Sequence, residues 1–186
     1  MISKPLIMVV IITYYLLAYQ QLNPDKPRNF FLFALIAAWI GDCLLLFEGH
    51  FVSGLASFLI MQTLYTICFW KDRNPDRKAI IFGIGLLVLI ISMLLVLWNH
   101  LGGMKVPVLV YMSAISVMSY MAYLRKKGKG YLWILLGTIL FVISDSVLAI
   151  HQFRDDISLG SLTVMSTYIM AQSSIVHGYT LDHSQE

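Results

Sequence analysis

Two aspartates lie within apolar stretches of this sequence. Asp42 belongs to the stretch Phe30–Phe47, and Asp145 belongs to the stretch Gly130–Ile150. An ionisable side chain inside a bilayer costs at least ~3 kcal/mol on insertion scales, so each aspartate is a candidate functional residue. Two carboxyl groups in one low-dielectric site hold one of them protonated near neutral pH, because desolvation and like-charge repulsion oppose a second negative charge. The pair could therefore supply one acid and one anion. We expect every other acidic residue to lie in a loop or in the C-terminal tail.

The composition indicates a membrane protein. Of the 186 residues, 59% are hydrophobic and 12% are charged, whereas about 25% of the residues of a soluble domain are charged. The net charge of +3 is small and its basic residues are spread among loops, which argues against nucleic-acid binding. Cys43 and Cys68 form no C-x-x-C pair, so we expect no redox or zinc chemistry from cysteine.

Seven hydrophobic spans predict an all-α, polytopic membrane helix bundle. They are Pro5–Tyr19, Phe30–Phe47, Phe51–Trp70, Ala79–Trp98, Val106–Leu124, Gly130–Ile150 and Gly160–Thr180. Most have the ~20 residues that a helix needs to cross the hydrocarbon, and the first is shorter. No small-x-small cleavage site follows the first span, so we interpret it as a retained helix. No stretch is long or polar enough for a second domain, and residues 1–186 are expected to form one domain.

The basic residues predict the orientation of these spans. The connections after spans one, three and five hold ten of the 13 basic residues: Lys26, Arg28, Lys71, Arg73, Arg77, Lys78, Arg125, Lys126, Lys127 and Lys129. The opposite side holds Lys4, Lys105 and Arg154. Since cytoplasmic loops are enriched in lysine and arginine, we expect the C-terminus in the cytoplasm and the N-terminus outside.

The two aspartates are expected at one depth. Asp42 and Asp145 each lie five residues before the outer end of their span, Phe47 and Ile150. At 1.5 Å per residue, both carboxyl groups would lie roughly 7–8 Å inside the outer boundary and could face one pocket. The alternative is two unrelated acids, each hydrogen-bonded to a neighbouring helix for packing.

A weak internal repeat relates the two halves of the chain. Asp42 is followed by Tyr65, and Asp145 by Tyr168, with the same spacing of 23 residues. Three spans, one linking span and three further spans would then form two parallel repeats, which place binding sites at their interface. Chance matching in an apolar sequence is the alternative explanation.

Polar side chains gather near the level of the two aspartates. On the outer halves of their spans lie Ser57, Gln62, Tyr111, Ser113, Ser144, Ser146, Ser166, Thr167 and Tyr168, with Gln172 deeper. Together they predict a cavity that could hydrate a polar group, although each hydroxyl alone is more typical of helix packing. His50, His100 and His151 all lie at outer span ends without the i, i+4 spacing of a helical metal motif, so we expect no metal site.

An ordered set of motifs runs through both halves of the sequence. In the first half they are Ser3-Lys4-Pro5-Leu6, Gly41-Asp42-x-Leu44-Leu45 and Phe51-x-x-Gly54-x-x-x-Phe58, which runs on to Tyr65. In the second half they are Pro107-Val108-x-x-Tyr111, Gly137-x-x-x-Phe141-x-x-Ser144-Asp145-Ser146 and Thr167-Tyr168-x-x-Ala171-Gln172. This ordered combination resembles the YhhN-like family of integral membrane lysoplasmalogenases, and the resemblance spans nearly the whole chain. One departure is that family members usually carry a further helix before the Lys-Pro motif, giving eight.

The resemblance implies an enzyme that cleaves the vinyl ether bond of lysoplasmalogens to a fatty aldehyde and glycerophosphoethanolamine or glycerophosphocholine. Protonation of the β-carbon needs a neutral carboxylic acid, and the resulting oxocarbenium ion needs an anion beside it. We expect Asp145 as the acid and Asp42 as the anion, with the reverse assignment left open, and neither a metal nor an organic cofactor. Lys4 could bind the lipid phosphate or could extend to the interface. The residues expected to contact the lysophospholipid are Lys4, Tyr65, Tyr111, Ser144, Ser146, Tyr168 and Gln172.

The expected location is a bacterial cytoplasmic membrane. The rival hypothesis is a transporter of small solutes or lipids, since parallel repeats suit alternating access. Against it, all five prolines lie at span ends or in loops, and the aspartates lie towards one face instead of the midplane. A non-catalytic lipid-binding or packing protein is the third alternative.

Overall fold

The computed structural model describes residues 3–74, 76–154 and 160–184, which form seven α-helices and one short 3-10 helix. The α-helices are α1 (Ser3–Tyr19), α2 (Arg28–Leu44), α3 (Phe51–Lys71), α4 (Ala79–Leu97), α5 (Lys105–Tyr123), α6 (Tyr131–Phe153) and α7 (Gly160–His183). Each predicted span overlaps one of them, which confirms the all-α membrane bundle. The helices α3, α4 and α6, and α5 with its preceding 3-10 turn, are long and apolar enough to cross a membrane, and Pro5–Tyr19 forms a shorter apolar helix. The count of seven membrane-crossing helices stays a prediction.

Two helix ends differ from the prediction around the aspartates. The helix α2 ends at Leu44, and α6 continues to Phe153. The turn after α2 contains Gly49 at φ +80°, a left-handed conformation that favours glycine, so the chain reverses before α3 begins. Asp42 therefore lies in the last turn of α2, whereas Asp145 lies about two turns before the end of α6. The prediction that both aspartates are equally far from their helix ends was wrong.

Glycines let α6 and α7 approach each other closely. A Cβ atom on Gly130, just before α6, would lie 1.8 Å from the carbonyl oxygen of Gly178. A Cβ atom on Gly137 would lie 2.8 Å from the carbonyl oxygen of Ala171. Small residues that permit close backbone contact are a common means of packing helices within membranes. The close packing fixes the face of α6 that carries Asp145 relative to α7.

The core of the bundle holds a cluster of aromatic rings from α1, α2, α3 and α7. The rings of Phe31 and Tyr179 stack with centroids 3.8 Å apart, and Tyr15 and Tyr65 each lie against Phe31. All four side chains are fully buried. Aromatic packing of this kind holds the elements that carry Asp42 in a fixed arrangement.

The helix α4 lies at the periphery and packs mainly on α5. Only Ala79 and Leu97, at its two ends, are buried among its residues. A helix that is apolar on all sides and largely unburied by protein is expected to face lipid. The remaining six helices therefore form the core of the bundle, against which Leu89 of α4 also packs.

Candidate active site

Asp145 forms a pair with Tyr111. The hydroxyl group of Tyr111, on α5, donates a hydrogen bond of 2.5 Å to Oδ2 of Asp145, on α6. The tyrosine is buried and the aspartate is half-buried. Both side chains line a narrow cavity of about 40 Å³ whose wall is otherwise almost entirely apolar. We name it the Asp145 cavity; its lining also includes Phe51, Leu55, Leu89, Val108, Met112, Ile115, Ser116, Val142, Ser146, Leu148, Ala149 and Phe153.

Asp42 forms a second pair, with Tyr168. The hydroxyl group of Tyr168, on α7, donates a hydrogen bond of 2.9 Å to Oδ2 of Asp42, on α2. Both residues are buried, with Asp42 only 2% exposed. The rings of Phe58 and Phe141 contact Tyr168 edge-on, with centroids 6.0 and 5.5 Å away. This aromatic setting holds the phenol against the carboxyl group.

Neighbouring cavities connect the two pairs. A larger cavity of about 360 Å³, the outer vestibule, is lined by Asp42, Glu48 and Gln152 together with Leu45, Leu46, Phe47, Gly49, Phe51 and Leu148. A small cavity between the pairs is lined by Tyr111, Ser144, Asp145 and Tyr168. Phe51 and Leu148 belong to all three linings. Asp42 also interacts electrostatically with the Tyr111 hydroxyl group, so the two pairs are close enough to influence each other.

Tyr65 and Gln172 lie beside the Asp42–Tyr168 pair, and Gln172 interacts with the Tyr168 hydroxyl group. The Tyr65 hydroxyl group donates a hydrogen bond of 2.8 Å to Oε1 of Gln172, whose Nε2 atom lies 3.2 Å from the sulfur of Met61. Neither residue lines any of the three cavities. The structure thus assigns different partners to the two tyrosines that the repeat made equivalent, because Tyr168 contacts Asp42 and Tyr65 contacts Gln172.

The serine hydroxyl groups are bonded to backbone carbonyl groups. Ser144 donates to the carbonyl oxygen of Val164 on α7 at 3.0 Å, and Ser146 donates to that of Val142 on its own helix at 2.7 Å. Ser57 donates to the carbonyl oxygen of Ala37 at 2.7 Å. These contacts match the packing alternative, although Ser144 and Ser146 do line cavities beside Asp145. Lys4 is the second residue of α1, and its side chain is outside the described part of the structure.

No group of three or more histidine, cysteine, aspartate or glutamate residues that could hold a metal ion occurs among the described residues. The Nδ1 atom of His50 lies 3.2 Å from the carbonyl oxygen of Glu48, two residues earlier. The two acid–tyrosine pairs are groups in the three cavities that could take part in acid–base chemistry. Each offers a carboxyl group, held in place by a phenol, to a largely apolar cavity.

A buried ion cluster at the opposite end of the bundle was missed by the sequence analysis. Asp72, directly after α3, lies 2.6 Å from the amine of Lys26, 3.3 Å from Nη2 of Arg125 and 2.6 Å from Nε2 of His183. Arg125 also lies 3.2 Å from Oδ2 of Asp182. We name these five residues the loop ion cluster. Asp182, expected in the tail, lies in the last turn of α7 because this helix continues to His183.

The contacts of the loop ion cluster change the protonation of Asp72. Burial by itself raises the pKa of this carboxyl group. Hydrogen bonds with His183 and Lys26, and the positive charge of Arg125, outweigh burial and hold the pKa of Asp72 well below its usual range. Asp72 is therefore a fixed anion that ties the ends of α3, α5 and α7 to the connection between α1 and α2. Its position between Lys71 and Arg73, in one of the three basic connections of the sequence, was the one available indication.

Relatives of this chain carry the name lysoplasmalogenase. It is 30% identical to lysoplasmalogenase TMEM86A of Bos taurus over 170 residues, which cover 86% of this chain and 68% of the relative. It is 30% identical to lysoplasmalogenase TMEM86B of Homo sapiens over 75% of this chain and 58% of the relative. It is 26% identical to a lysoplasmalogenase of Mycobacterium tuberculosis (strain CDC 1551 / Oshkosh) over 83% of this chain and 61% of the relative. The matched region thus spans about three fifths to two thirds of these relatives.

The family comparison covers almost the whole chain. No solved structure matches it. The model of the YhhN family matches residues 1–179, a range that includes both acid–tyrosine pairs, the helices α1 to α6 and α7 as far as Tyr179. Because this match and the alignments to the relatives extend over most of the sequence, the chain belongs to the YhhN family.

Proposed function

We propose that this protein is a membrane hydrolase that cleaves the vinyl ether bond of lysoplasmalogens. The products are a fatty aldehyde and glycerophosphoethanolamine or glycerophosphocholine. The name shared by the relatives from Bos taurus, Homo sapiens and Mycobacterium tuberculosis supports this activity. The observation that carries the proposal for this chain is the pairing of Asp145 with Tyr111 on the wall of an apolar cavity, beside a second such pair.

Asp145 is the acid in the proposed mechanism. Its carboxyl group lies on the wall of an apolar cavity and enters the reaction in its neutral form. The O–H bond of the carboxyl group breaks as a C–H bond forms at the β-carbon of the enol ether, and the electron pair of the double bond is used in that new bond. The oxygen-bound carbon becomes an oxocarbenium ion. Tyr111 holds Asp145 in position through its hydrogen bond.

Asp42 is the anion that stabilises this cation. A carboxylate beside the oxocarbenium ion lowers the energy of the charge that develops in the transition state. Water then adds to the cationic carbon and gives up a proton to the carboxylate of Asp145, which restores the acid. The hemiacetal collapses when its hydroxyl group gives up its proton and forms the aldehyde C=O bond, while the bond to the glycerol oxygen breaks and that oxygen takes a proton. Tyr168 holds Asp42 for this role.

The cavities suggest how the lysolipid is oriented. The outer vestibule is the wider and more polar space, and we place the glycerophospho headgroup there. The Asp145 cavity is apolar and receives the alkenyl chain. Ser144 and Ser146 would contact the substrate near the acid, whereas Tyr65 and Gln172 support the Asp42 side from behind. Lys4 stays a proposed phosphate ligand.

The proposed setting is a bacterial cytoplasmic membrane, with the C-terminus in the cytoplasm and the vestibule on the outer side. The basic residues of the loops support this orientation. The transporter hypothesis gains no support from the names of the relatives.

A substrate panel tests the proposed function. Purified protein in detergent should release aldehyde from 1-alkenyl lysophospholipid and leave the 1-alkyl and 1-acyl analogues intact. Only the enol ether can be protonated at carbon to give an oxocarbenium ion, and an acyl ester would need a nucleophile with an oxyanion hole. Uptake by proteoliposomes without any product would favour the transporter. Comparable hydrolysis of the acyl lysolipid would indicate an esterase.

A further inference from the structure

A second apolar groove continues the Asp145 cavity towards the other side of the membrane. It lies between α4 and α5, has a volume of about 310 Å³ and is lined by Gly83, Leu86, Leu87, Ile90, Ser113, Ser116, Val117 and Tyr120. We name it the α4–α5 groove. Ser116 lines both the groove and the Asp145 cavity, so the two spaces meet at this side chain.

The residues at this junction leave a passage. Ser116 is 7% exposed, and its hydroxyl group has no hydrogen-bond partner among the described residues. Every apolar residue in the lining of the Asp145 cavity except Ala149 has a larger side chain than Ser116. Ser116 therefore obstructs little of the junction. Met112 and Leu89 narrow the cavity nearby, and methionine is the side chain that most readily changes shape to admit a neighbour. A hydrocarbon chain could therefore pass from the cavity into the groove.

The groove ends where α4 and α5 come into contact. A Cβ atom on Gly83 would lie 3.1 Å from the ring of Tyr120. One turn further along α5, the rings of Phe82 and Tyr123 stack with centroids 4.8 Å apart. The path thus begins at Asp145 and Tyr111 and ends at Tyr120 and Tyr123.

The length of this path corresponds to that of a long alkenyl chain. The nine to twelve residues from Tyr111 to Tyr120 and Tyr123 span roughly 14–18 Å of α5. An extended hydrocarbon advances roughly 1.2 Å per bond, as an extended backbone does, so about 11–15 bonds cover the distance. We propose that the distal half of the alkenyl chain binds in the α4–α5 groove, with Ser116 as the passage and Val117 as a wall residue that senses chain length. This inference rests on the proposed function, because it takes the vinyl ether to be at Asp145.

Another apolar groove offers the rival route. It lies between α3 and α5, has a volume of about 220 Å³ and is lined by Val52, Leu55, Ala56, Leu59, Val106, Pro107, Val110 and Tyr111. Leu55 and Tyr111 also line the Asp145 cavity. This groove lies beside the vinyl ether position and extends towards the start of α5, not away from it. This groove is therefore too close to the vinyl ether end of the alkenyl chain to hold the distal half of that chain.

Two matched substitutions distinguish the routes. Val117 lines the α4–α5 groove and Val110 lines the rival groove. Their side chains are 48% and 47% exposed, so tryptophan at either position can obstruct its groove without disturbing the core. Val117→Trp should lower kcat/KM for a 1-hexadecenyl lysolipid by about tenfold or more and leave a 1-hexenyl lysolipid unchanged, because the shorter chain ends before Ser116. Val110→Trp should affect neither chain selectively. The reverse pattern, or equal effects on both chain lengths, would overturn the proposal.

A second readout does not depend on turnover. A non-hydrolysable 1-alkyl lysolipid with a diazirine at the end of its chain should label the peptides that contain Gly83–Ile90 and Ser113–Tyr120. Labelling at Val52–Leu59 and Val106–Val110 would assign the chain to the rival groove and contradict our inference. If wild-type protein releases no aldehyde from either alkenyl lysolipid but is labelled along α4 and α5, the proposed activity fails while the chain-binding groove stands.

Discussion

The hydroxyl group of Tyr168 donates a hydrogen bond to the carboxyl group of Asp42 across the bundle, over a sequence separation of 126 residues. This contact joins the last helix of the chain to the second. Tyr111 makes the corresponding contact with Asp145 from the neighbouring helix. Each acid is thus held by a phenol that lies elsewhere in the sequence, and the proposed chemistry needs both pairs.

The carboxyl groups themselves are the first target. Asp42→Asn and Asp145→Asn should each lower turnover by about two orders of magnitude or more, the size of one lost acid–base contribution. Aldehyde release from alkenyl lysolipid is the measurement, and gel filtration in detergent checks that the variants are folded. Asp25→Asn, which removes an exposed carboxylate from a loop outside the three cavities, serves as the control and should retain most activity. Activity close to wild type in either aspartate variant would remove that residue from the mechanism.

The phenols are positioning residues, and their loss should have smaller effects. Tyr111→Phe and Tyr168→Phe each remove one hydrogen bond to a carboxyl group, which is worth about 1.5–3 kcal/mol when that group is charged. We expect kcat to fall about tenfold to a hundredfold, with a shift of the pH profile of kcat, because the protonation of the paired acid changes. Tyr65→Phe is the matched control, since Tyr65 contacts Gln172 instead of an acid. If it shifts the pH profile as much as Tyr111→Phe does, the distinction between the two tyrosines is lost.

The loop ion cluster should make stability depend on pH. The pKa of Asp72 is lowered in the folded protein, so its ionised form contributes stability above the ordinary aspartate pKa of ~3.9. That contribution disappears progressively as the pH falls below this value towards the lower pKa of the folded state. At neutral pH, Asp72→Asn should cost about 1.5–3 kcal/mol, because it removes charged hydrogen bonds to Lys26 and His183 and one of the two counter-charges of the buried Arg125, which keeps Asp182.

Thermal unfolding in detergent between neutral pH and pH ~3 measures this effect, because near the acidic end Asp72 takes up a proton in the unfolded chain while the folded protein keeps the carboxylate. The difference in Tm between wild type and Asp72→Asn should shrink as the pH falls. Asp25→Asn, at an exposed loop position, should behave like wild type. A difference that stays constant down to the lowest pH would show that Asp72 contributes by packing and not by charge.

The orientation of the bundle has its own test. In a variant without Cys43 and Cys68, a cysteine at Lys127 should be shielded from an impermeant thiol reagent in intact cells. A cysteine at Gly103, an exposed position in the connection between α4 and α5, should react. Our interpretation of the basic loops predicts this pattern. The opposite labelling would move the outer vestibule to the cytoplasmic side.

The sequence was sufficient to predict the helices and the positions of Asp42 and Asp145 within two of them. Apolar length identifies helices with little ambiguity, because a backbone in lipid must satisfy its own hydrogen bonds. The sequence did not predict the partners of Asp42 and Asp145. Spacing suggested Tyr65 and Tyr168 as equivalent residues, whereas in the fold Tyr168 bonds to Asp42 and Tyr111 bonds to Asp145. Asp72 looked like a loop residue because its burial depends on four segments that meet only in the fold.

The most direct measurement of the central claim is isotope incorporation during turnover in heavy water. If Asp145 delivers a proton to the β-carbon of the enol ether, the aldehyde should carry one deuterium at the carbon next to its carbonyl group, after correction for slow exchange of free aldehyde. Turnover should also be slower than in ordinary water, because proton transfer to carbon limits the rate. Aldehyde released without deuterium at that carbon would mean that the bond breaks by another route, and the roles given to Asp145 and Asp42 would be wrong.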